Sequence, residues 1–371
     1  MNLYIMDPDT LDRLAIINDY SARAWNRVWG ESGSFRLWAP ITPENEEFLV
    51  AENLIWPDDQ KLVGVIESIH KYTEEGSNMP QVEISGRFIT DCYLSRRIIW
   101  GNFFKKGVPS SVLKQLIEEQ SIGCSNLSRR FGSTISASMS IDSSVPIQEA
   151  ITYCNSYGNL WEEVKGISLE YGLDVEFEYR VDNGIPAISG SIYAGQNKAQ
   201  EVNLSTDLGF LTSPDYLWDS TDYCNTALVA GEGEGADREI VSIIPSSATG
   251  RNRRELYVDA RDLQKTSEGG TSMSDEEYTD SLTQRGNNKL LEFPLYETYE
   301  CSLQLTGQEG YIFGVDYNLG DTVTLTDTIL KVQVQARVKE HQFSEDKDGR
   351  VDVLVFGLAV PTITSLVKRR K

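Results

Sequence analysis

Apolar and polar residues alternate at period two through much of the first hundred positions, the signature of strands with one buried face. Ser34-Phe35-Arg36-Leu37-Trp38-Ala39 alternates strictly, and Val82, Ile84, Gly86 and Phe88 share one face. Ala15-Ile16-Ile17 leads into Tyr20-Ser21, and the β-branched run from Leu62 to Ile69 predicts a buried strand. A short helix is expected from Pro43 to Val50. The cluster Glu74-Glu75-Gly76-Ser77-Asn78 predicts a hairpin turn. Residues 1–104 thus predict a small antiparallel barrel or sandwich.

The period changes over 105–200. Val112, Leu113, Leu116 and Ile117 recur at helical spacing, and Ile147, Ala150, Ile151 and Cys154 fit the same template, with Pro146 before them and Gly158 after. Asn159-Leu160-Trp161-Glu162 predicts a helix start with a capping box, Leu160, Val164, Ile167 and Tyr171 line one face, and Gly172 predicts the stop. Val175, Phe177, Tyr179 and Val181 then alternate with Glu176, Glu178 and Arg180, and Asp182-Asn183-Gly184 turns the strand back through Ile185 to Tyr193. This predicts an α+β unit.

Strands return over 201–371: Ala227 to Ala230, Ile240 to Ile244, Glu255 to Asp259, Cys301 to Leu305, Thr322 to Leu325, Lys331 to Lys339 and Val351 to Val360. A helix is expected over about 274–291, opened by the capping box Ser274-Asp275-Glu276-Glu277 and weakened by Gly286-Asn287-Asn288. The stretch 264–273 is rich in Ser, Gly and Thr. The predicted class is mainly β with an α+β insertion, in three parts: 1–104, 105–200 and 201–371.

Composition narrows the function. Apolar residues make up 40% and aromatics 10%, too many for a solvated, disordered chain. No apolar run approaches the roughly 20 residues that span a bilayer, and the N-terminus lacks the basic region and the small-residue cleavage site of a signal peptide. Fifty-six acidic against 34 basic side chains give a net charge of -22, which argues against a DNA-binding or anionic-membrane surface. Residues 201–300 alone hold -12, whereas 301–371 are neutral and end in Lys368-Arg369-Arg370-Lys371.

Five scattered cysteines without a C-x-x-C predict free thiols of a protein made in a reducing cytosol. With only His70 and His341, most zinc, iron and triad chemistry lacks its imidazoles, and each histidine is expected on a strand surface. Gly231-Glu232-Gly233-Glu234-Gly235 is glycine-rich, but its glutamates would repel phosphate, so a turn is the better reading. Glu232, Glu234 and Asp237 lack calcium-loop spacing. Acidic pairs such as Glu176/Glu178 and Asp58/Asp59 suit a solvated face or a turn better than glycoside hydrolysis. No catalytic, cofactor or metal residue is assigned. Seven tryptophans and 17 tyrosines instead suit packing and protein interfaces.

Several motifs in order resemble the tail-tip or baseplate hub proteins of long-tailed phages, whose longer relatives are tail-associated lysins. They are Ala15-Ile16-Ile17-Asn18-Asp19-Tyr20, Trp25-Asn26-Arg27, Glu31-Ser32-Gly33 and Phe35-Arg36-Leu37-Trp38-Ala39-Pro40. Next come Ile84-Ser85-Gly86-Arg87 and Leu94-Ser95-Arg96-Arg97-Ile98, then the Gly231–Gly235 run with Arg238, and Arg254-Glu255 with Asp259-Ala260-Arg261-Asp262. Tyr317-Asn318-Leu319-Gly320-Asp321-Thr322-Val323 closes the series.

The resemblance implies two related β-barrel tube domains, 1–104 and 201–371, with 105–200 inserted. It implies a homotrimer forming a pseudo-hexameric ring between the six-fold tail tube and the three-fold tip. The implied partners are the distal tail ring protein, the tape-measure protein and receptor-binding or fibre proteins. DNA would pass through without specific binding, an acidic lumen repelling phosphate. No peptidase or muramidase domain is expected, since the chain stops at Lys371, and no cofactor is implied. Interface anchors are expected at Trp25, Arg27 and Trp38 in the first barrel and at Tyr317 and Asp321 in the second. The alternatives are a carbohydrate-binding or carbohydrate-hydrolysing tail protein, and the equivalent hub of a contractile injection device.

Overall fold

A computed structural model describes residues 2–357, apart from 32, 74–78, 133, 137, 183, 208–210, 267–272 and 304–309. The expected turn at 74–78, most of 264–273, the tail 368–371 and the ends of the strands expected at 301–305 and 351–360 lie outside the described residues. Strand outweighs helix, 44% to 19%, so the chain is mainly β. It divides into two compact units, each assembled from separated stretches: Met1–Ala194, Asp262–Ser281 and Phe343–Arg350 in the first, the remainder in the second.

In the first unit, Leu3–Met6 lies between Arg13–Ile17 and Leu54–Pro57, all antiparallel. A second antiparallel set runs Ala22–Val28, Ser34–Pro40, Pro80–Arg87 and Ser68–Thr73. The strict alternation of Ser34–Pro40 is realised: Phe35, Leu37 and Ala39 are buried and Ser34 and Arg36 exposed. They join Leu3, Ile5, Trp25, Ile55 and Ile84 in one core. The single strand expected from Leu62 to Ile69 is broken. Gly64–Val65 is a short buried strand and Ser68–Thr73 a separate exposed one. The two halves pair with different strands, Gly64–Val65 with Leu54–Ile55 and Ser68–Thr73 with Pro80–Ser85, and the backbone at Val65 passes so close to Gly86 that no side chain fits there.

A second core of the same unit draws together residues from Met6 to Ala194. Helix Pro109–Ile117 supplies Val112, Leu113, Leu116 and Ile117 as its periodicity predicts. Helix Leu160–Tyr171 begins where expected, with Asn159 Oδ1 accepting from the N–H of Trp161 and Glu162, and ends on Gly172 at φ 66°. Strands Leu173–Asp182 and Ile185–Ala194 form the expected hairpin, though residue 183 of its turn is outside the described set. One expectation fails. Ile151–Ser156 is not helical but a strand antiparallel to Asn102–Gly107, and Ile147 is fully exposed. Ile151-Thr152-Tyr153 is β-branched and aromatic, and pairing with a neighbouring strand overrides a four-point helical match.

In the second unit, Thr226–Ala230 is the middle of three strands, antiparallel to Ile240–Ile243 and parallel to Glu255–Asp259. Helix Asp275–Leu290 starts in the first unit, where it carries its capping box as read, Ser274 and Glu277 bonding reciprocally, and its residues from Leu282 on count with the second. Its Gly286 does not break it. That glycine sits where a Cβ would overlap Val229 and Ile243, so the small residue lets the helix approach the sheet. Leu211–Asp219 pairs with Tyr296–Leu303, and Thr322–Asp327 with Val332–Asp346. Among the described residues no closed barrel forms, so the two-barrel expectation is met only in β content. The sheets end on edge strands, Ser68–Thr73 in the first unit and Leu211–Asp219 in the second.

Candidate interface sites

The expected anchors are mostly interior. Trp25 is 2% exposed, stacked 5.9 Å from Phe343 and 5.5 Å from Phe35. Neighbouring Arg23 is buried against Glu345 at 2.6 Å and Asp59 at 3.4 Å. Tyr317 is fully buried with Phe313 edge-on at 5.6 Å. Asp321 is also buried, and its carboxylate accepts from the N–H of Gln196 at 2.7 Å and of Asn318 at 2.9 Å. It staples two stretches of its own unit. Trp38 is half-buried beneath Arg36. Arg27 is half-buried and bonds Glu176 at 2.6 Å.

Arg27 belongs to a buried ionisable group that the sequence does not announce. Asp174 accepts from Tyr193 Oη at 3.1 Å and from the Val175 N–H at 2.8 Å, and Trp29 packs edge-on to Tyr193 at 5.3 Å. Burial, then the nearby Glu176 charge, pushes the Asp174 carboxyl from 3.8 up to about 7, against the hydrogen bonds from Gly30, Val175 and Tyr193. Burial is the largest single effect on the Arg27 guanidinium and lowers it, but the Glu176 charge and hydrogen bond together with the Tyr193 and Asp174 charges outweigh it, and the net shift is upward. The alternation of Asp174 and Glu176 with Val175 and Phe177 is the one sequence signal. It reads as a solvated face until the opposing strand is in place.

The Gly231–Gly235 loop is a clamped turn. Arg238 bonds the carbonyls of Gly231 and Ala230 at 3.1 and 3.0 Å, Tyr257 Oη at 3.0 Å and Asp259 at 2.8 Å. Gly233 has φ 96° with backbone pressed against it, a position no side chain suits. The loop spends its polar groups on itself, as the turn reading expects. Among the described residues no three acidic, Cys or His side chains stand together as a metal site. His70 is on an exposed strand, stacked on Tyr72. His341 departs from expectation: it is buried, its Nε2 2.7 Å from Asp352 Oδ1 and its ring 4.2 Å from that of Phe313. Strand Val332–Asp346 runs on past the predicted end and takes it into the core. All five cysteines are free, as expected.

Two exposed aromatic surfaces among the described residues carry charge of opposite sign. In the first unit, Trp100 is 68% and Tyr157 64% exposed, beside Ile98 and Phe104. They are held together by the pairing of Ser156 with Asn102 and by the bond from Tyr157 N–H to the Ile99 carbonyl. Arg129 lies 5.5 Å over the Trp100 ring. Residues 96–130 hold seven basic and two acidic side chains, a local reversal of the chain's charge. In the second unit, the edge strand Leu211–Asp219 exposes Tyr216, Leu217 and Trp218, and its Asp215 stands directly opposite Glu300. The basic pairs 96–97, 105–106 and 129–130 were the sequence signal for the first surface. The second had only the absence of bases from 201 to 223.

The family described as Siphovirus ReqiPepy6 Gp37-like protein matches residues 2–357. No curated protein matches the chain. Among solved structures, it is similar to the 43 kDa tail protein of prophage MuSo2 from Shewanella oneidensis, with TM-score 0.58 and 14% identity over 96% of this chain and 98% of that one. A tail protein of Neisseria meningitidis MC58 gives 0.55 at 13% identity, covering 96% of each chain. Prophage tail protein gp18 of Listeria monocytogenes EGD-e gives 0.54 at 11% identity, covering 100% and 98%. At these identities the likeness is one of fold.

Proposed function

The chain belongs to the Siphovirus ReqiPepy6 Gp37-like protein family, and from that premise we propose that it is a structural hub at the tip of a long-tailed phage tail. The observation that carries this reading is the extent of the family match, which takes in both compact units. Three copies form a ring that joins the six-fold tail tube to the three-fold tip. The parts 1–104 and 201–371 supply the tube domains and 105–200 the insertion between them. The distal tail ring protein, the end of the tape-measure protein and receptor-binding or fibre proteins are its neighbours in the virion. The role is architectural, without catalysis.

DNA passage suits the charge. With -22 per copy the ring repels phosphates spaced about 1.7 Å apart along the duplex, so DNA slides without adhering. Of the five anchors, Trp38 keeps surface to offer a partner, while Arg27 is committed to Glu176 and Trp25, Tyr317 and Asp321 act by holding the shape of their own units. Immunogold labelling of virions tests the reading. Gold at the tail tip is expected, and gold along the tube or on the capsid would overturn it.

A further inference from the structure

The acid-rich composition gives most described arginines a carboxylate partner: Arg36, Arg87, Arg96, Arg238 and Arg261 all have one. The arginines beside Trp100 differ. Arg129 donates to the Ile98 carbonyl at 2.6 Å, Arg97 to the Arg129 carbonyl at 2.9 Å and Arg130 to the Cys124 carbonyl at 2.8 Å. Their geometry is fixed by neutral acceptors, so their positive charge stays uncompensated. Beside them Tyr157 holds φ 62° while largely exposed, a backbone state bulky side chains rarely adopt and one that clusters at functional sites. Trp, Tyr and Arg together are the composition of interface hot spots.

The edge strand of the second unit is the inverse. Asp215 and Glu300 face each other across the strand pair, an arrangement that destabilises unless a cation lies nearby. Trp218, three residues along the same strand and paired with Glu297, is 56% exposed. Acidic groups alone can guard an edge strand against aggregation, but a guard does not require an exposed Trp next to Tyr216 and Leu217.

We propose that the basic aromatic surface around Trp100 and Arg129 docks on the acidic aromatic edge strand Leu211–Asp219 of a second copy of this chain. This rests on the ring reading above and names the surfaces that would build it. Two different, complementary faces on one chain make a heterologous contact, the kind that closes into rings. A nucleic acid suits the basic surface less well, because its arginines spend donors on carbonyls and Ile98 offers nothing to a phosphate.

The test is sedimentation velocity with light scattering on the full chain over a concentration series. Wild type is expected to self-associate, and less so at high salt. Arg129→Glu and Asp215→Arg should each weaken association by about tenfold or more, since like charges then meet. The chain carrying both should recover it, because the pair is merely exchanged. Trp218→Ala should weaken association with its melting curve unchanged, and Lys106→Glu, on the exposed face of the same strand pair, replaces Arg129→Glu if that variant misfolds. Wild-type association that none of these variants moves, or a double variant no better than the singles, overturns the docking and leaves the ring standing. A wild-type chain that stays monomeric throughout overturns the ring reading itself. Duplex DNA binding lost in Arg129→Glu would reassign the surface to nucleic acid.

Discussion

Trp25 stacks nearly parallel to Phe343, 7° between planes, so the most aromatic motif near the N-terminus is spent on the core of its own unit. Trp25→Ala should therefore lower stability by about 3–5 kcal/mol, read as a shift of the urea midpoint. An unchanged midpoint would return Trp25 to the surface. Asp174 makes a second prediction at this scale. Its carboxyl sits at about 7 in the fold against 3.8 normally, so the folded state binds the proton more tightly. The stability it contributes is complete below pH about 4 and is lost as pH rises through about 7. Asp174→Asn removes that titration, so the melting temperature of the variant should gain on wild type as pH is raised from 4 to 8. Parallel curves would exclude it.

Among the elements, helix Asp275–Leu290 shows how local and tertiary preferences part. Alanine is the better helix former by about 1 kcal/mol, so an isolated helix would gain from Gly286→Ala. In the fold a Cβ there overlaps Val229 and Ile243. Overpacking costs about 1–3 kcal/mol, so Gly286→Ala should destabilise the protein in thermal melts while raising the helicity of the excised peptide. Stabilisation in both settings would show that the contact is slack. Strand Ile151–Ser156 gives the same lesson from the other side. Its apolar spacing fits a helix, but Asn102–Gly107 offers a full register of backbone partners, and the pairing decides.

For the whole molecule, charge is the property that acts at a distance. A chain at -22 should not retard duplex DNA in a gel-shift assay even at low salt, where any phosphate contact is strongest. A shifted band there, abolished by salt, would contradict a conduit that works by repulsion. The average hides structure, since 96–130 is locally basic and 201–223 has no base at all. Charges of opposite sign on separate parts of one chain steer copies together as readily as they keep DNA away.

The class, most strand positions, two helix starts with their caps and the turn at Gly231–Gly235 follow from the sequence, because each depends on neighbours within a few residues. Asn159 and Ser274 cap their helices whatever else folds around them. The glycine-rich loop could be read as a turn because its glutamates exclude the phosphate alternative without reference to the fold. Tertiary structure decided the rest. Trp25 and Tyr317 carry the same side chains as interface residues, and only the arrival of Phe343 and Phe313 makes them core. His341 is buried beside Asp352, and Asp174 becomes a neutral-range acid only when the fold buries it near the Glu176 charge. Burial is a property of what packs on a residue from far along the chain, and a spacing of two or four residues carries no record of it.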